Sequence, residues 1–275
     1  MSIRKLGLIG AGNMSGAILS GVLQKGFLPP EDICLYDVNP GQCQKWRDRY
    51  PVQIAQGNPA LVTASDAVIL AVKPLYLQGV LQEIRPYVRG KRIISIAAGW
   101  TTAMLTDILD EASGAQVLRV MPNTPAMVGE GYTALCKENT FDAESLAWAE
   151  RLFGTLGQTQ VFPENLFDAV IAVSGSSPAY AYLFLEAMAD GAVKLGIPRA
   201  QAYRAAAQAV LGAAKMVLET GEHPGKLKDD VCSPGGTTIA AVHALEQSGF
   251  RGSVMNAMEA CAQKSRQMAL EQNQK

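Results

Sequence analysis

The chain has 275 residues, 48% of them hydrophobic, and a formal net charge of −1 at pH 7. It therefore offers no basic surface for nucleic acid, and no apolar run approaches the ~20 residues that span a bilayer, so we expect neither partner. The five cysteines are scattered along the chain, which predicts reduced thiols, and there are only two histidines, so we expect no metal site. The first residues lead directly into a strand pattern. We therefore expect a cytoplasmic protein.

The first predicted element is a short buried strand over residues 4–10, followed by a Gly-x-Gly turn and a helix. This order is the context that a dinucleotide-binding fingerprint requires. Gly10 permits the tight turn, and Gly12 lets a pyrophosphate approach the backbone. Ser15 takes the usual third-glycine position, and with Gly16 it is expected to let the helix lie close to the strand. The residues predicted to bind the dinucleotide here are Gly10, Ala11, Gly12, Asn13 and Met14.

A second strand, residues 33–37, ends in the carboxylate of Asp37, about 25 residues after the turn, where an acid commonly bonds the adenosine ribose. A carboxylate repels a 2′-phosphate, which favours NADH. Arg47 and Arg49, on a predicted helix downstream, could instead reach a phosphate, and Asp37 can also be interpreted as a turn residue. The sequence leaves the choice between NADPH and NADH open.

Three further strands are predicted over residues 67–72, 92–96 and 117–121, and a last one over residues 159–162. In open α/β sheets ligands bind at the carboxyl ends of the strands, so the ends of the first three are expected to lie side by side at a site. The residues predicted there are Ala71, Val72, Lys73, Pro74, Ala97, Ala98, Gly99 and Asn123. We predict a Rossmann-type domain over residues 1–162 with a doubly wound, mostly parallel sheet.

Residues 163–275 show no strand pattern. Apolar residues recur at helical spacing, which predicts helices over residues 166–174, 178–195, 198–219, 225–231, 237–248 and 251–273. Several of these helices are rich in alanine around most of their circumference, which is typical of helices that pack closely against others. We expect an all-α domain whose faces are partly covered by another subunit.

The segment Ser233-Pro-Gly-Gly-Thr-Thr238 forms a loop with little side-chain bulk and opens one of these helices. Free N–H groups at a helix start bind small anions such as carboxylates, and two hydroxyl groups lie at the same place. The residues predicted to bind a small carboxylate substrate are Ser233, Gly236, Thr237 and Thr238.

This segment resembles the signature of the pyrroline-5-carboxylate reductases, which has a Ser-Pro-Gly-Gly-x-Thr core. The resemblance spans roughly residues 3–270, and in that family Ala71–Pro74, Ala97–Gly99 and Asn123–Pro125 match motifs that border the nicotinamide. It further implies that Asn58 lies near the adenosine, and it matches Glu164 to a family acid that we assign to cofactor binding. In Gly-Ser-Ser177-Pro-Ala-Tyr the family has a second glycine, so Ser177 is expected to narrow the substrate pocket or to cap a helix.

The resemblance implies that 1-pyrroline-5-carboxylate is reduced to L-proline with NADPH or NADH, by a homodimer or a decamer built from dimers. We predict that the Thr238 hydroxyl bonds the imine nitrogen and relays a proton from water. One alternative is another imine reductase or a β-hydroxyacid-type dehydrogenase, with Lys194 as its acid/base. A second is a dinucleotide-binding regulator without turnover.

Overall fold

The computed structural model describes residues 3–273, which divide into two compact units. The sheet unit runs up to Ser176 and resumes at Cys261, and the helical unit comprises Ser177–Ala260. This division falls later than the predicted domain boundary at residue 162, which marks the end of the last strand. The segment in between stays with the sheet unit because Phe167 and Val170 are buried against its strands.

Among the described residues the sheet unit has eight strands: β1 Leu6–Ile9, β2 Ile33–Tyr36, β3 Gln53–Ile54, β4 Ala67–Leu70, β5 Arg92–Ser95, β6 Gln116–Met121, β7 Gly131–Cys136 and β8 Gly157–Phe162. They form one sheet in the order β3-β2-β1-β4-β5-β6-β7-β8. All neighbours are parallel except β6 and β7. The predicted doubly wound, mostly parallel sheet is confirmed, and the ends of β4, β5 and β6 are neighbours as expected.

The helices of the sheet unit are α1 Asn13–Gln24, α2 Pro40–Arg47, α3 Asn58–Ala64, α4 Pro74–Ile84, α5 Thr102–Leu109, α6 Ala143–Gly154 and α7 Phe167–Val170. The helical unit contains α8 Ser177–Lys194, α9 Arg199–Thr220, α10 Pro224–Val231 and α11 Thr237–Gln247. The last helix, α12 Phe250–Asn273, begins there and ends in the sheet unit. None of the helices described within residues 3–273 has the length and apolar character needed to cross a membrane.

Alternation along the strands builds a core on each face of the sheet, as the pleat requires. In β4, which is buried along its whole length, Ile69 packs in the cluster that contains Ile18 of α1. Its neighbour Leu70 packs in the opposite cluster with Leu77 of α4. The apolar run predicted to form a central strand does so.

Not every element was predicted. The two-residue strand β3, which pairs parallel to β2, lies in a stretch for which the sequence analysis predicted no strand. The sequence analysis missed β7, which pairs antiparallel to β6 and parallel to β8. The helix expected over residues 166–174 is α7 followed by a π-helical turn at Ile171–Gly175, in which the N–H of Ser176 donates to the carbonyl of Ile171 at 2.8 Å. The other predicted helices of the C-terminal half agree with the structure within one or two residues at each end.

Candidate active site

In the Gly-rich turn between β1 and α1, the backbone of Gly10 favours glycine, whereas that of Gly12 does not. Gly10 has φ +96°, and a Cβ there would lie 2.7 Å from the carbonyl oxygen of Ala71. Gly12 is exposed, and a Cβ there would meet no atom within 4 Å. It is the N-cap of α1, and no side chain within residues 3–273 caps this helix, so the N–H groups of Asn13 and Met14 have no side-chain partner there.

The two small residues that follow have different partners from those expected. Ser15 is buried, and its hydroxyl donates to the carbonyl of Gly10 at 2.5 Å, so it braces the turn. Gly16 faces α2 rather than the strand, because a Cβ there would lie 2.9 Å from the ring of Trp46. The absence of a side chain at Gly16 therefore permits close packing of α1 on a neighbouring helix.

Asp37 lies immediately after β2 and is fixed to the Gly-rich turn. Its Oδ2 accepts from the N–H of Ala11 at 2.7 Å, and its Oδ1 accepts from the N–H of Asn39 at 2.8 Å. Each oxygen keeps a further lone pair for a ligand. Of the two arginines considered as phosphate ligands, Arg47 is exposed at the end of α2. Arg49 lies over the ring of Tyr50, 5.4 Å from its centroid, and lines a second cavity of about 450 Å³ together with Ala11 and Gly12 of the Gly-rich turn.

A cavity of about 450 Å³ opens between Asp37 and α4. It is lined by Ile9, Gly10, Tyr36, Asp37, Val38, Asn58, Val72, Tyr76 and Val80. The side chain of Asn58 is buried, and its Nδ2 donates to Glu83 at 2.7 Å. Its Oδ1 has no donor in the described part of the chain, and an unpaired buried acceptor is costly. An apolar cavity with an acid at its rim and an unpaired amide oxygen in its wall fits an adenosine.

The carboxyl edge of β4 and β5 carries the predicted nicotinamide motifs. Val72 lines the cavity of Asp37, Lys73 is exposed as the N-cap of α4, and the carbonyl of Pro74 accepts from the indole of Trp100 at 3.2 Å. After β5, Gly99 has φ +77°, and a Cβ there would lie 3.5 Å from the backbone nitrogen of Ala269 in α12. Ala71 and Ala98 are half-buried and Ala97 is buried, so this edge presents small residues and backbone.

Both polar atoms of the Asn123 side chain form hydrogen bonds within the protein. Its Oδ1 accepts from the N–H of Tyr132 at 2.8 Å, and its Nδ2 donates to the carbonyl of Ser174 at 3.1 Å. Asn123 is buried at the end of β6. It thus lies at the predicted edge, with protein partners for both of its polar atoms.

Glu164 lies apart from the cavity of Asp37. Its Oε1 accepts from the N–H of Thr102 at 2.8 Å, from the Thr102 hydroxyl at 3.1 Å and from the guanidinium of Arg119 at 3.1 Å. With Gly99 it borders a separate cavity of about 330 Å³. Beside this group, burial raises the pKa of the Cys136 thiol to about 11, which keeps it uncharged.

Sequence reasoning did not identify Arg119. Its guanidinium is buried, lies 4.4 Å from the centroid of the Phe167 ring and pairs with Glu164. The sequence nevertheless contains a feature that points to it, because Arg119 is the one charged residue in the otherwise apolar stretch 117–121. A charge in a buried strand requires a partner nearby.

In the helical unit, the predicted substrate residues come together in one turn and the helix that follows. The N–H of Gly236 donates to the carbonyl of Ser233 at 3.0 Å, and Gly235 has φ +70°, as the third position of a type II turn requires. A Cβ on Gly236 would lie 2.6 Å from the Ser233 hydroxyl oxygen. Gly236 caps α11 with no described side chain bonded to it, so the N–H groups of Thr237 and Thr238 are unpaired within the helix.

The remaining candidates lie on neighbouring helices of this unit. Ser177 is the first residue of α8, and Lys194 is its last and is exposed. His223 caps α10, with its Nδ1 accepting from the N–H of Gly225 at 3.0 Å. Among residues 3–273 no group of three or more His, Cys, Asp or Glu side chains is placed to hold a metal ion.

Comparison with known proteins assigns both parts of the chain. Residues 164–268 match the family described as pyrroline-5-carboxylate reductase dimerisation, and residues 5–99 match the family described as NADP oxidoreductase coenzyme F420-dependent. Pyrroline-5-carboxylate reductase of Escherichia coli (strain K12) is 44% identical over 267 residues, which cover 97% of this chain and 98% of that protein. The enzyme of the same name from Pisum sativum is 41% identical and covers 96% of each.

A solved structure has a similar fold. The crystal structure of Plasmodium falciparum pyrroline carboxylate reductase with NADP bound is 31% identical, with a TM-score of 0.88, and covers 97% of this chain and 98% of that one. Identity above 40% over nearly the whole length leaves no doubt of common descent, and the chain belongs to the pyrroline-5-carboxylate reductase family.

Proposed function

We propose that this chain reduces 1-pyrroline-5-carboxylate to L-proline with a hydride from NAD(P)H. The observation that carries the proposal is the start of α11, where a Ser-Pro-Gly-Gly turn leaves the N–H groups of Thr237 and Thr238 unpaired within the helix. Such a helix start binds a carboxylate through its N–H groups and its dipole. The second element of the proposal is the Gly-rich turn of the sheet unit, with its adjoining cavity.

The sheet unit fits a dinucleotide. The open backbone at Gly12 suits a pyrophosphate, and the cavity between Asp37 and Asn58 suits an adenosine. When bound, the nicotinamide supplies the hydride. The residues that would hold the cofactor are Gly10, Ala11, Gly12, Asn13, Met14, Asp37, Asn58, Ala71, Val72, Lys73, Pro74, Ala97, Ala98 and Gly99. Glu164, which pairs with Thr102 and Arg119, would act by fixing the segment next to Gly99.

Residues of the helical unit hold the substrate. The N–H groups of Thr237 and Thr238 donate to the substrate carboxylate, and the Ser233 hydroxyl adds a side-chain donor. The Thr238 hydroxyl bonds the imine nitrogen, which fixes the ring and passes on a proton from water. A protonated imine is already electrophilic, so its reduction needs no strong general acid and a hydroxyl group suffices at this position. Ser177, at the start of α8, borders the same substrate.

The assay for this proposal follows the absorbance of NADH and NADPH with 1-pyrroline-5-carboxylate, with a 2-hydroxyacid and NAD(P)⁺ as the comparison. The proposal predicts oxidation of at least one cofactor with the imine and no reduction of either with the hydroxyacid. Turnover of the hydroxyacid alone would favour the dehydrogenase alternative, in which Lys194 is the acid/base. Cofactor binding without turnover of any cyclic imine would favour a regulator.

We further propose that residues 163–275 form a substrate-binding and dimerisation domain and that the enzyme is a cytoplasmic homodimer. In the helical unit the residues described as buried are only Ala189, Ala202 and Ala206. Large apolar side chains remain exposed, among them Leu195 and Leu218, at 86% and 80%. A helical unit that leaves many large apolar side chains exposed is characteristic of a domain that another subunit covers. The five free cysteines suit a reducing compartment.

Light scattering after gel filtration tests the assembly. Twice the monomer mass, or ten times it for a decamer built from dimers, supports the proposal. A monomer that stays active would contradict it.

A further inference from the structure

The chain passes from the sheet unit into α8 through the π-helical turn Ile171–Gly175. Turns of this kind are rare and are often found at functional sites. The second residue of α8 is Pro178, which has no N–H. The carbonyl of Ser174, four residues earlier, therefore cannot receive the usual helical hydrogen bond from that position. Since a buried carbonyl needs a donor, another part of the molecule must supply it.

The side chain of Asn123 supplies this donor. Its Nδ2 donates to the Ser174 carbonyl at 3.1 Å, while its Oδ1 accepts from the N–H of Tyr132, near the start of β7, at 2.8 Å. Asn123 and Ser174 are each only 8% exposed, so water cannot readily replace the bond between them. One carboxamide thus joins the carboxyl end of β6, the start of β7 and the turn that precedes α8.

We infer that Asn123 is a positioning residue for the reaction, in place of the cofactor contact that the sequence predicted. It fixes the turn from which α8 begins to the sheet edge that carries Ala71–Pro74 and Ala97–Gly99. This inference rests on the proposed function, in which the nicotinamide lies at that edge and Ser177, the first residue of α8, borders the substrate. A displaced turn changes how the substrate is aligned with the cofactor and leaves cofactor affinity unaltered.

The test compares two isosteric substitutions in the full-length protein. Asn123→Asp keeps the Oδ1 acceptor for Tyr132 but places a carboxylate oxygen against the Ser174 carbonyl. Asn139→Asp is the matched control, because the Nδ2 of Asn139 also donates to backbone carbonyls, those of Cys136 at 2.9 Å and Lys137 at 3.1 Å. Asn139 follows β7 at the opposite edge of the sheet, where the neighbouring Thr140 bonds Val117 at the start of β6.

For Asn123→Asp we expect kcat to fall about 100-fold, because small misplacements of reacting groups cause losses of this size. We expect the Kd values for NADH and NADPH to stay within about twofold of wild type. For Asn139→Asp we expect kcat within about twofold. Hydrogen exchange provides a readout independent of activity: amides of residues 171–176 lose protection in Asn123→Asp and keep it in Asn139→Asp. Asn123→Ser, which retains a small donor, replaces Asn123→Asp if the latter does not fold.

Three results would overturn the inference. A Kd for the cofactor raised about tenfold, with kcat at saturation unchanged, would make Asn123 a cofactor ligand. Equal losses of kcat in both variants would reduce its role to general stability. Unaltered exchange at residues 171–176 would show that Asn123 does not fix the turn. If the wild type does not reduce the imine, the proposed function fails, and the exchange experiment still decides the role of Asn123.

Discussion

The substitution Asp37→Asn removes the negative charge at the rim of the cavity that is proposed to hold the adenosine, while keeping the size of the side chain. In the structure the carboxylate is fixed by N–H groups of Ala11 and Asn39, so it cannot turn away from an incoming 2′-phosphate. We therefore expect wild type to prefer NADH and the variant to use NADPH better relative to NADH.

The size of the effect follows from the position of the carboxylate. Two unit charges about 4 Å apart repel by about 1 kcal/mol in water and by about 4 kcal/mol at an effective dielectric constant of about 20. Asp37 is partly exposed, which places the repulsion near the lower value, at about 1–2 kcal/mol. This corresponds to a change of about 5- to 30-fold in the ratio of kcat/KM for NADPH to that for NADH.

The assay measures kcat/KM for both cofactors in wild type, Asp37→Asn and the control Asp48→Asn. Asp48 follows α2 and is exposed, and it bonds the Gln44 side chain at 2.6 Å, so its removal changes the net charge equally without touching the cavity. An unchanged ratio in Asp37→Asn, or the same shift in Asp48→Asn, would refute the proposal that Asp37 contacts the adenosine ribose.

Two further predictions concern the helical unit and acid stability. Thr238→Ala is expected to lower kcat/KM about 100-fold. The control Thr220→Ala removes a hydroxyl bonded to a carbonyl in α9 and is expected to leave kcat/KM unchanged. An unaltered rate in Thr238→Ala would remove Thr238 from the mechanism. Burial acts to raise the pKa of Asp66, but hydrogen bonds from the N–H groups of Arg4 and Lys5 outweigh it and lower the pKa. Asp66 therefore stabilises the fold above its unfolded pKa of about 4, and this contribution is lost as the pH falls through the lower folded value. Thermal melts should show that Asp66→Asn narrows the difference in Tm between about pH 7 and about pH 3, and an equal difference in both proteins would contradict this.

The sheet could be predicted because its central strands are continuous apolar runs bounded by turn residues. β4 is the clearest case, with all four residues buried between two helix layers. β7 was missed because its sequence, Gly-Tyr-Thr-Ala-Leu-Cys, has neither a clean alternation nor a strong apolar run. Its strand conformation depends on pairing with β6 and β8, which no local pattern reveals.

The backbone geometry of the two predicted binding motifs was also predictable, because it is local. Gly10 and Gly235 adopt positive φ angles, and Gly12 and Gly236 precede helices within the same short stretches of chain. The partners of Asn123 and Glu164 are not local. Asn123 bonds a carbonyl 51 positions away, and Glu164 pairs with an arginine 45 positions away, so only the folded chain brings them together.

The most direct measurement is a crystal structure of the enzyme with NAD(P)H and an unreactive cyclic analogue of the substrate. The account predicts that the analogue's carboxylate accepts hydrogen bonds of about 3 Å from the N–H groups at the start of α11. Its reacting carbon is expected to lie about 3–3.5 Å from C4 of the nicotinamide. A complex in which the ring binds elsewhere, with Gly236–Thr238 remote from the nicotinamide, would contradict it.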